Sequence, residues 1–271
     1  MLPISLLHRP LTFSLASQSL PQYTISHSIP SFHVVKRSRL LRSQPVETTA
    51  EVVNYEYKPG VFDHLFLTLF RNKMVQEVGW DSDMPGYDGL IEVANRLMMK
   101  NRNNSETVDA AVRILRSLFP PFLLELFKML VAPLGRGKVA AIMVARVTAL
   151  SCQWLMGPCK VNSVDLPDGS SLEITGVLVE KCKYLEESKC VGICINTCKL
   201  PTQTFFKKYM GVPLVMEPDF SDYSCQFKFG VLPPIPAEDK ALSEPCLEIC
   251  PNATRRRELS RSANEMQCPK L

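Results

Sequence analysis

Three cysteines spaced four residues apart constrain the fold of this chain more than any other feature. They are Cys190, Cys194 and Cys198, within the stretch KCKYLEESKCVGICINTCKLPTQTFF at residues 181–206. Four residues advance an α-helix by about 400°, so each sulfur is offset from the previous one by only about 40°. The spacing predicts one helix that carries three thiols on a single face. A fourth thiol would come from the other cysteines of this region, Cys182, Cys225, Cys246 or Cys250.

Close thiolates repel one another unless a cation lies between them, so this region is a candidate metal site. Four thiolates suit an iron–sulfur cluster, Cys-ligated iron or zinc. The spacing matches neither the C-x-x-C pairs of zinc sites nor the ferredoxin run, and we place iron ahead of zinc. Disulfides, or reduced cysteines packed in a core, are the alternatives without a metal. Three cysteines outside the dense region are predicted to be unligated: Cys152, Cys159 and Cys268.

Histidine chemistry is nearly excluded by composition. His64 is the only histidine after residue 45. A Ser–His–Asp or Cys–His catalytic site, or a histidine-based metal site, would depend on that one residue. The chain also lacks a Walker loop, a dinucleotide-binding glycine loop and a Gly-x-Ser-x-Gly motif.

The first 45 residues differ sharply from the rest of the chain. They contain five basic residues, eleven Ser or Thr and five Pro, and no acidic residue. This composition is typical of a transit peptide and favours the plastid, and the alternative is a tail without a targeting function. Removing its five bases from the total of 31 leaves 26 basic against 27 acidic residues. A near-neutral body argues against a nucleic-acid-binding surface.

The remaining chain predicts an α+β fold, with a mainly helical N-terminal half packed against a small antiparallel sheet that carries the cysteine-rich helix. Residues 46–58 form a linker, 59–250 a single domain (helical over 59–157, cysteine-rich α+β over 158–250), and 251–271 a disordered basic tail. Residues 161–166 and 172–179 flank a Pro-Asp-Gly turn and predict one hairpin, and residues 212–217 and 224–229 predict another. Pro201 should end the cysteine helix, with Lys199 at its negative end.

One stretch of the helical half, residues 138–157, is apolar almost all round and predicts a single helix. It is either a core helix whose Arg146 pairs with a carboxylate, or the lining of an apolar ligand tunnel or a membrane-facing surface. A membrane span is disfavoured, because a central Arg costs about 2.5–3.5 kcal/mol on insertion scales.

An acidic turn offers the other candidates for chemistry. It contains Glu217, Asp219 and Asp222. A carboxyl group in an apolar cleft can have its pKa raised enough to donate a proton, and Glu217 is the catalytic candidate on that basis. The alternative is a solvated turn.

Three long irregular motifs then give a specific resemblance: the stretch at residues 181–206, GVPLVMEPDFSDYSCQFKFGVLPP, and PCLEIC. Together they resemble the plastid iron-containing β-carotene isomerase family, which acts at the start of strigolactone synthesis in plants. The resemblance covers residues 87–250 and is strongest from residue 180 onward. It implies metal ligation by a set of seven cysteines: Cys182, Cys190, Cys194, Cys198, Cys225, Cys246 and Cys250.

The resemblance also implies reversible conversion of all-trans-β-carotene to its 9-cis isomer, peripheral contact with a plastid membrane, and hand-off of product to carotenoid cleavage dioxygenases. The carotenoid needs a deep apolar groove, for which residues 119–157 offer the surface. Electron exchange with iron, or protonation by Glu217, would lower the order of one double bond. The alternative function is a metal-carrying plastid protein that binds carotenoid or lipid without turnover.

Overall fold

The computed structural model describes residues 60–100, 103–166 and 169–254. Helices fill the first part and a four-stranded antiparallel sheet with further helices the second, so the predicted α+β class is confirmed. The predicted transit peptide and linker lie outside the described residues, as do residues 255–271 of the predicted tail. Residues 251–254, which we assigned to that tail, instead form a helical turn whose Ala253 is buried in the core.

In the described part of the chain, six α-helices precede the sheet: α1 Val61–Val78, α2 Gly86–Lys100, α3 Asn104–Ser117, α4 Pro121–Leu130, α5 Lys138–Ser151 and α6 Gln153–Met156. A short 3-10 helix, Leu134–Gly137, connects α4 to α5. The buried centre of this half is α2, because its apolar residues recur every three or four positions and face α1 and α3. The N-cap of α3 is Asn103, whose side-chain oxygen accepts a hydrogen bond from the Glu106 amide at 2.8 Å.

The apolar stretch at residues 138–157 is two helices, not one, because the backbone turns at Cys152 between α5 and α6. Small residues of α5 such as Ala141 and Ala145 are buried where this helix packs on the sheet. Arg146 lies on the exposed side, and no carboxylate in the described ranges pairs with it, so the predicted buried ion pair is wrong. None of the described helices combines the length and apolarity needed to cross a bilayer.

The sheet consists of two hairpins joined side by side. Its strands are β1 Cys159–Asp165, β2 Ser171–Val179, β3 Leu214–Pro218 and β4 Cys225–Phe229, in the order β1-β2-β4-β3. Both predicted hairpins are confirmed, and β2 pairs with β4 between them. Side chains alternate between the faces, so Val177 and Phe227 pair on the buried inner face. On the outer face, Asn162 donates to Gln226 at 2.8 Å.

The predicted cysteine helix is interrupted before its first predicted ligand. Helix α7, Lys183–Ser188, ends at Lys189, which adopts a left-handed conformation (φ 49°), and Cys190 that follows is extended. The chain then runs as one helix, α8, over residues 191–210. It alternates α segments (Val191–Ile193 and Leu200–Phe205) with π-helical turns (Cys194–Lys199 and Phe206–Met210).

Pro201 does not end α8, contrary to the prediction. Before it, the Leu200 amide bonds to the Ile195 carbonyl, five residues back, so the wider π turn shifts the hydrogen-bond ladder at this point. Pro201 is the second residue of the next α segment, where its missing N–H and fixed φ are tolerated. Lys199 is therefore in the middle of the helix, where it is buried and pairs with Asp239.

Candidate functional site

Four buried or half-buried cysteines lie between α8, α7 and the inner face of the sheet. We call Cys182, Cys194, Cys198 and Cys225 the inner thiol group. Cys182 immediately precedes α7, and its amide donates to the Tyr223 carbonyl at 2.7 Å, which fixes it beside the start of β4. Cys194 and Cys198 lie on the first π turn of α8, and Cys225 begins β4 with its side chain on the inner face. No described cysteine forms a disulfide.

The inner thiols hold their protons strongly. Burial is the main cause, and it raises the pKa of Cys194 and of Cys225 well above the usual thiol value. Electrostatic repulsion from the neighbouring thiols raises them further, while the Lys199 ammonium opposes the rise. Burial also raises the pKa of Cys182, and it raises that of Cys198 to about 12. At neutral pH the group therefore consists of uncharged thiols in a dry setting.

Two tyrosines complete this environment. Tyr184 shares a hydrogen bond with the Thr197 hydroxyl, with 2.8 Å between the oxygens, and Tyr87 donates to the Leu155 carbonyl at 2.6 Å. Burial, reinforced by the nearby thiols, raises the pKa of both phenols far above the usual range. The Lys183 ammonium lies 4.2 Å from the centre of the Tyr87 ring.

A narrow cavity of about 40 Å³ adjoins the inner thiol group. It reaches Cys198, Tyr184 and Thr197 on one side and apolar side chains of α1, α2 and α3 on the other. Its only polar lining atoms come from thiol, hydroxyl and backbone groups, and no carboxylate faces it. The cavity is therefore a small apolar space beside neutral hydrogen-bond donors, with room for no more than a few water molecules.

The remaining three predicted ligands form a second cluster, the C-terminal thiol group of Cys190, Cys246 and Cys250. The Cys190 thiol donates a hydrogen bond to Cys250 and is the first cause that lowers the pKa of Cys250, to about 6. Burial opposes this shift, and the Asn252 and Ala253 amides and the Cys246 thiol support it. The sequence prediction of three thiols on one face is thus wrong, because Cys190 precedes the helix and turns towards the C-terminal segment.

The placement of these sulfur atoms bears on the predicted metal site. Their soft donor character suits iron or zinc. However, within residues 60–100, 103–166 and 169–254, no three side chains of His, Cys, Asp or Glu are arranged to hold a metal ion. As placed, the thiols do not form a ligand sphere, and any metal bound by the inner group would first have to displace its protons.

Glu217 lies apart from both thiol groups. It follows the inward-facing Met216 on β3, so alternation directs it to the outer face of the sheet. Its side chain is 52% exposed and pairs with Lys228, with 2.7 Å between Nζ and Oε2. The apolar cleft that would make this carboxyl a proton donor is not present around it. Asp219 accepts hydrogen bonds from Ser221 in the exposed turn, which lowers its pKa, as expected of the solvated alternative.

Sequence reasoning missed three residues of this site. Cys152, predicted to lie outside it, interacts electrostatically with Cys198, because the turn between α5 and α6 brings it to the inner thiol group. Tyr184 could have been noticed, since it lies two residues after Cys182 in the cysteine-rich stretch. Nothing in the local sequence around Tyr87 indicates that α2 places it there.

Comparison with known proteins gives a consistent result. A family model described as "Beta-carotene isomerase D27-like, C-terminal" matches residues 154–238. The chain is 32% identical over 204 residues to the chloroplastic β-carotene isomerase D27 of Arabidopsis thaliana, covering 74% of this chain and 75% of that protein. It is 33% identical over 194 residues to the chloroplastic β-carotene isomerase D27 of Medicago truncatula, covering 72% and 75%. No solved structure matches the chain.

Proposed function

Since the chain belongs to the D27-like β-carotene isomerase family, we propose that it interconverts all-trans-β-carotene and 9-cis-β-carotene in plastids. The observation that carries this proposal is the identity of about one third with two chloroplastic β-carotene isomerases, which extends over three quarters of each chain. The enzyme class, isomerase, and the plastid location are those of the family. The choice of these two isomers is the specific part of the proposal.

The chemistry of the inner thiol group supports a hydrocarbon substrate. β-Carotene has no polar atom to pair with a buried charge, and the cavity beside Cys198 presents none. Isomerisation conserves atoms and electrons, so the protein must only lower the order of one double bond while water is kept away. The cavity is lined mostly by apolar side chains, and the thiols and phenols beside it hold their protons. A C40 polyene exceeds the cavity, so the helices that line it must move apart to admit the substrate.

Iron as the cofactor is a second part of the proposal, and it rests on the family resemblance. When bound, iron would supply one-electron exchange with the polyene, which weakens the double bond. The thiols as placed do not surround a common point, so we derive no step through iron. Protonation by Glu217 is disfavoured by its position on the outer face of the sheet.

The cellular setting completes the proposal. β-Carotene resides in plastid membranes, so the protein makes a peripheral contact with them to reach its substrate. The product passes to carotenoid cleavage dioxygenases at the start of strigolactone synthesis. This place in metabolism rests on the resemblance alone.

The test is approach to equilibrium from both directions. The purified full-length chain is incubated with all-trans-β-carotene and, separately, with 9-cis-β-carotene, and the isomers are separated by chromatography. A true isomerase brings both reactions to the same ratio with many turnovers, whereas a carotenoid-binding protein leaves each ratio unchanged and refutes the proposal. Metal analysis of the same samples tests iron independently. Full activity in metal-free protein would refute the iron proposal and leave the isomerase proposal standing.

Single cysteine variants refine this test. Cys198→Ser alters the inner thiol group at the cavity, and we expect it to slow both directions equally, since a catalyst cannot move the equilibrium. Cys159→Ser is the matched control, because Cys159 lies outside both thiol groups and donates to the Ala149 carbonyl at 3.5 Å. An equal loss of isomerisation rate in both variants would mean that the inner thiol group has no special part in the reaction.

A further inference from the structure

Helix α4 shows its apolar side to solvent. Of its ten residues only Leu124 is buried. Phe122 is 82% exposed and Met129 is 66% exposed, and three further apolar residues of α4 are at least half exposed: Leu123, Leu126 and Leu130. Soluble proteins rarely leave such a contiguous apolar helix face uncovered unless it meets another phase or partner. Among the described residues, nothing covers it.

Basic side chains surround this helix. The Lys128 ammonium of α4 donates to the Lys208 carbonyl at 2.9 Å, which holds α4 against the end of α8. Lys207 and Lys208 are exposed there, Arg136 is exposed on the turn that follows α4, and Lys138 is exposed at the start of α5. In the described ranges, none of these five forms an ion pair with a carboxylate.

The charge imbalance is regional and not a property of the whole chain. Residues 110–164 contain seven basic residues and a single acidic one, Glu125, although the chain after residue 45 is near neutral. Two of the seven, Arg113 and Lys160, pair with the carboxylates of Glu77 and Glu180, which leaves five bases in this stretch without such a pair among the described residues. An apolar helix face with a basic surround is the pattern of a segment that lies in a membrane interface. A second copy of the chain is a poor occupant, because self-association through this face would bring like charges together.

We infer that α4, with the basic residues of its surround, is the element that docks the protein on a bilayer containing anionic lipids. The apolar side chains of α4 enter the interface, and the ammonium and guanidinium groups contact lipid phosphate or other anionic headgroups. This inference rests on the proposed function, in that a substrate dissolved in a bilayer gives the enzyme a reason to dock. It goes beyond that function by assigning the surface and the lipid class.

Flotation of the full-length chain with lipid vesicles tests the inference without any carotenoid. Vesicles consist of phosphatidylcholine alone, or with about one third phosphatidylglycerol, a typical anionic lipid. The docking variant carries Leu126→Glu and Met129→Glu, and the matched control carries Leu232→Glu and Ile235→Glu, which are similarly exposed elsewhere. We expect the docking variant to lose about tenfold or more in partitioning onto anionic vesicles, and the control to match the parent protein.

A second variant separates charge from apolar insertion. The variant with Lys207→Gln and Lys208→Gln should bind anionic vesicles more weakly than the parent protein. Added salt should likewise weaken the binding of the parent protein to these vesicles. Equal flotation of the parent protein and the α4 variant would overturn the inference, as would no flotation of the parent protein. Light scattering tests whether a second copy of the chain covers this face instead. If the α4 substitutions convert a dimer to a monomer and leave vesicle binding unchanged, the face is a subunit interface and the inference is overturned. Vesicle binding without isomerisation would refute the proposed function and leave the docking surface standing.

Discussion

The buried ion pair between Lys199 and Asp239 gives the sharpest test of how α8 is held in place. The two side chains are only 2% and 9% exposed. Asp239 also accepts the Ala241 amide at 3.2 Å, so it anchors the Lys240–Ser243 turn as well as the lysine. Asp239→Ala leaves the Lys199 ammonium buried in the middle of α8 without a counter-charge. We expect this change to lower the free energy of unfolding by about 3–5 kcal/mol.

The size of the effect depends on burial, and a double variant that removes both charges isolates it. Lys199→Met combined with Asp239→Asn removes both charges and keeps an acceptor for the Ala241 amide. We expect the double variant to be far more stable than Asp239→Ala and within about 1–2 kcal/mol of the parent protein. The matched control is the exposed pair of Lys160 and Glu180, where Lys160→Met should change stability by less than about 1 kcal/mol.

Urea unfolding followed by circular dichroism measures each free energy. The reasoning would be refuted if Asp239→Ala cost no more than Lys160→Met, because the buried pair would then behave as a solvated one. It would also be refuted if the double variant were as unstable as the single variant. In either case the position of Lys199 within α8 would not depend on its counter-charge.

Three further predictions follow from the same structure. Because burial raises the pKa of Cys198 to about 12, this thiol stabilises the fold below the unfolded-state pKa of about 9, and that contribution is lost as the pH rises towards 12. Above pH 9, the free energy of unfolding measured by urea titration should therefore fall less steeply with pH in Cys198→Ala than in the parent protein, by about 1.4 kcal/mol per pH unit. Gly89→Ala should destabilise the protein by about 1–3 kcal/mol in thermal unfolding, since the new methyl group would overlap the Met84 carbonyl. Glu217→Gln should change the isomerisation rate by less than about twofold, because the side chain is half exposed and paired with Lys228, and a larger loss would restore the proton-donor hypothesis.

The sequence predicted the elements of this fold better than their junctions. Both hairpins could be found, because alternating apolar residues and a Pro-Asp-Gly turn are local signals. The break at Lys189 and the π turn before Pro201 follow from packing against distant segments, which leaves no trace in local spacing.

The candidate site was predictable in its residue types and not in its grouping. All seven predicted cysteines are neighbours of other cysteines through contacts or electrostatic interactions, but they form two groups: Cys182, Cys194, Cys198 and Cys225 in one, and Cys190, Cys246 and Cys250 in the other. Helical periodicity assumes that a helix is continuous, so it could not separate Cys190 from Cys194. Iron ligation stays a prediction.

The pairing of β2 with β4 has a consequence for the thiols that reaches beyond the sheet. Val179 lies opposite Cys225 in this pairing. A slip of one residue would turn Cys225 to the solvated side and bring the Gln226 amide into the core. The inner thiol group is therefore complete only when the two hairpins dock in the correct alignment. A mutation that shifted this alignment would dismantle the group while leaving every cysteine in the chain, and a count of cysteines would not reveal the damage.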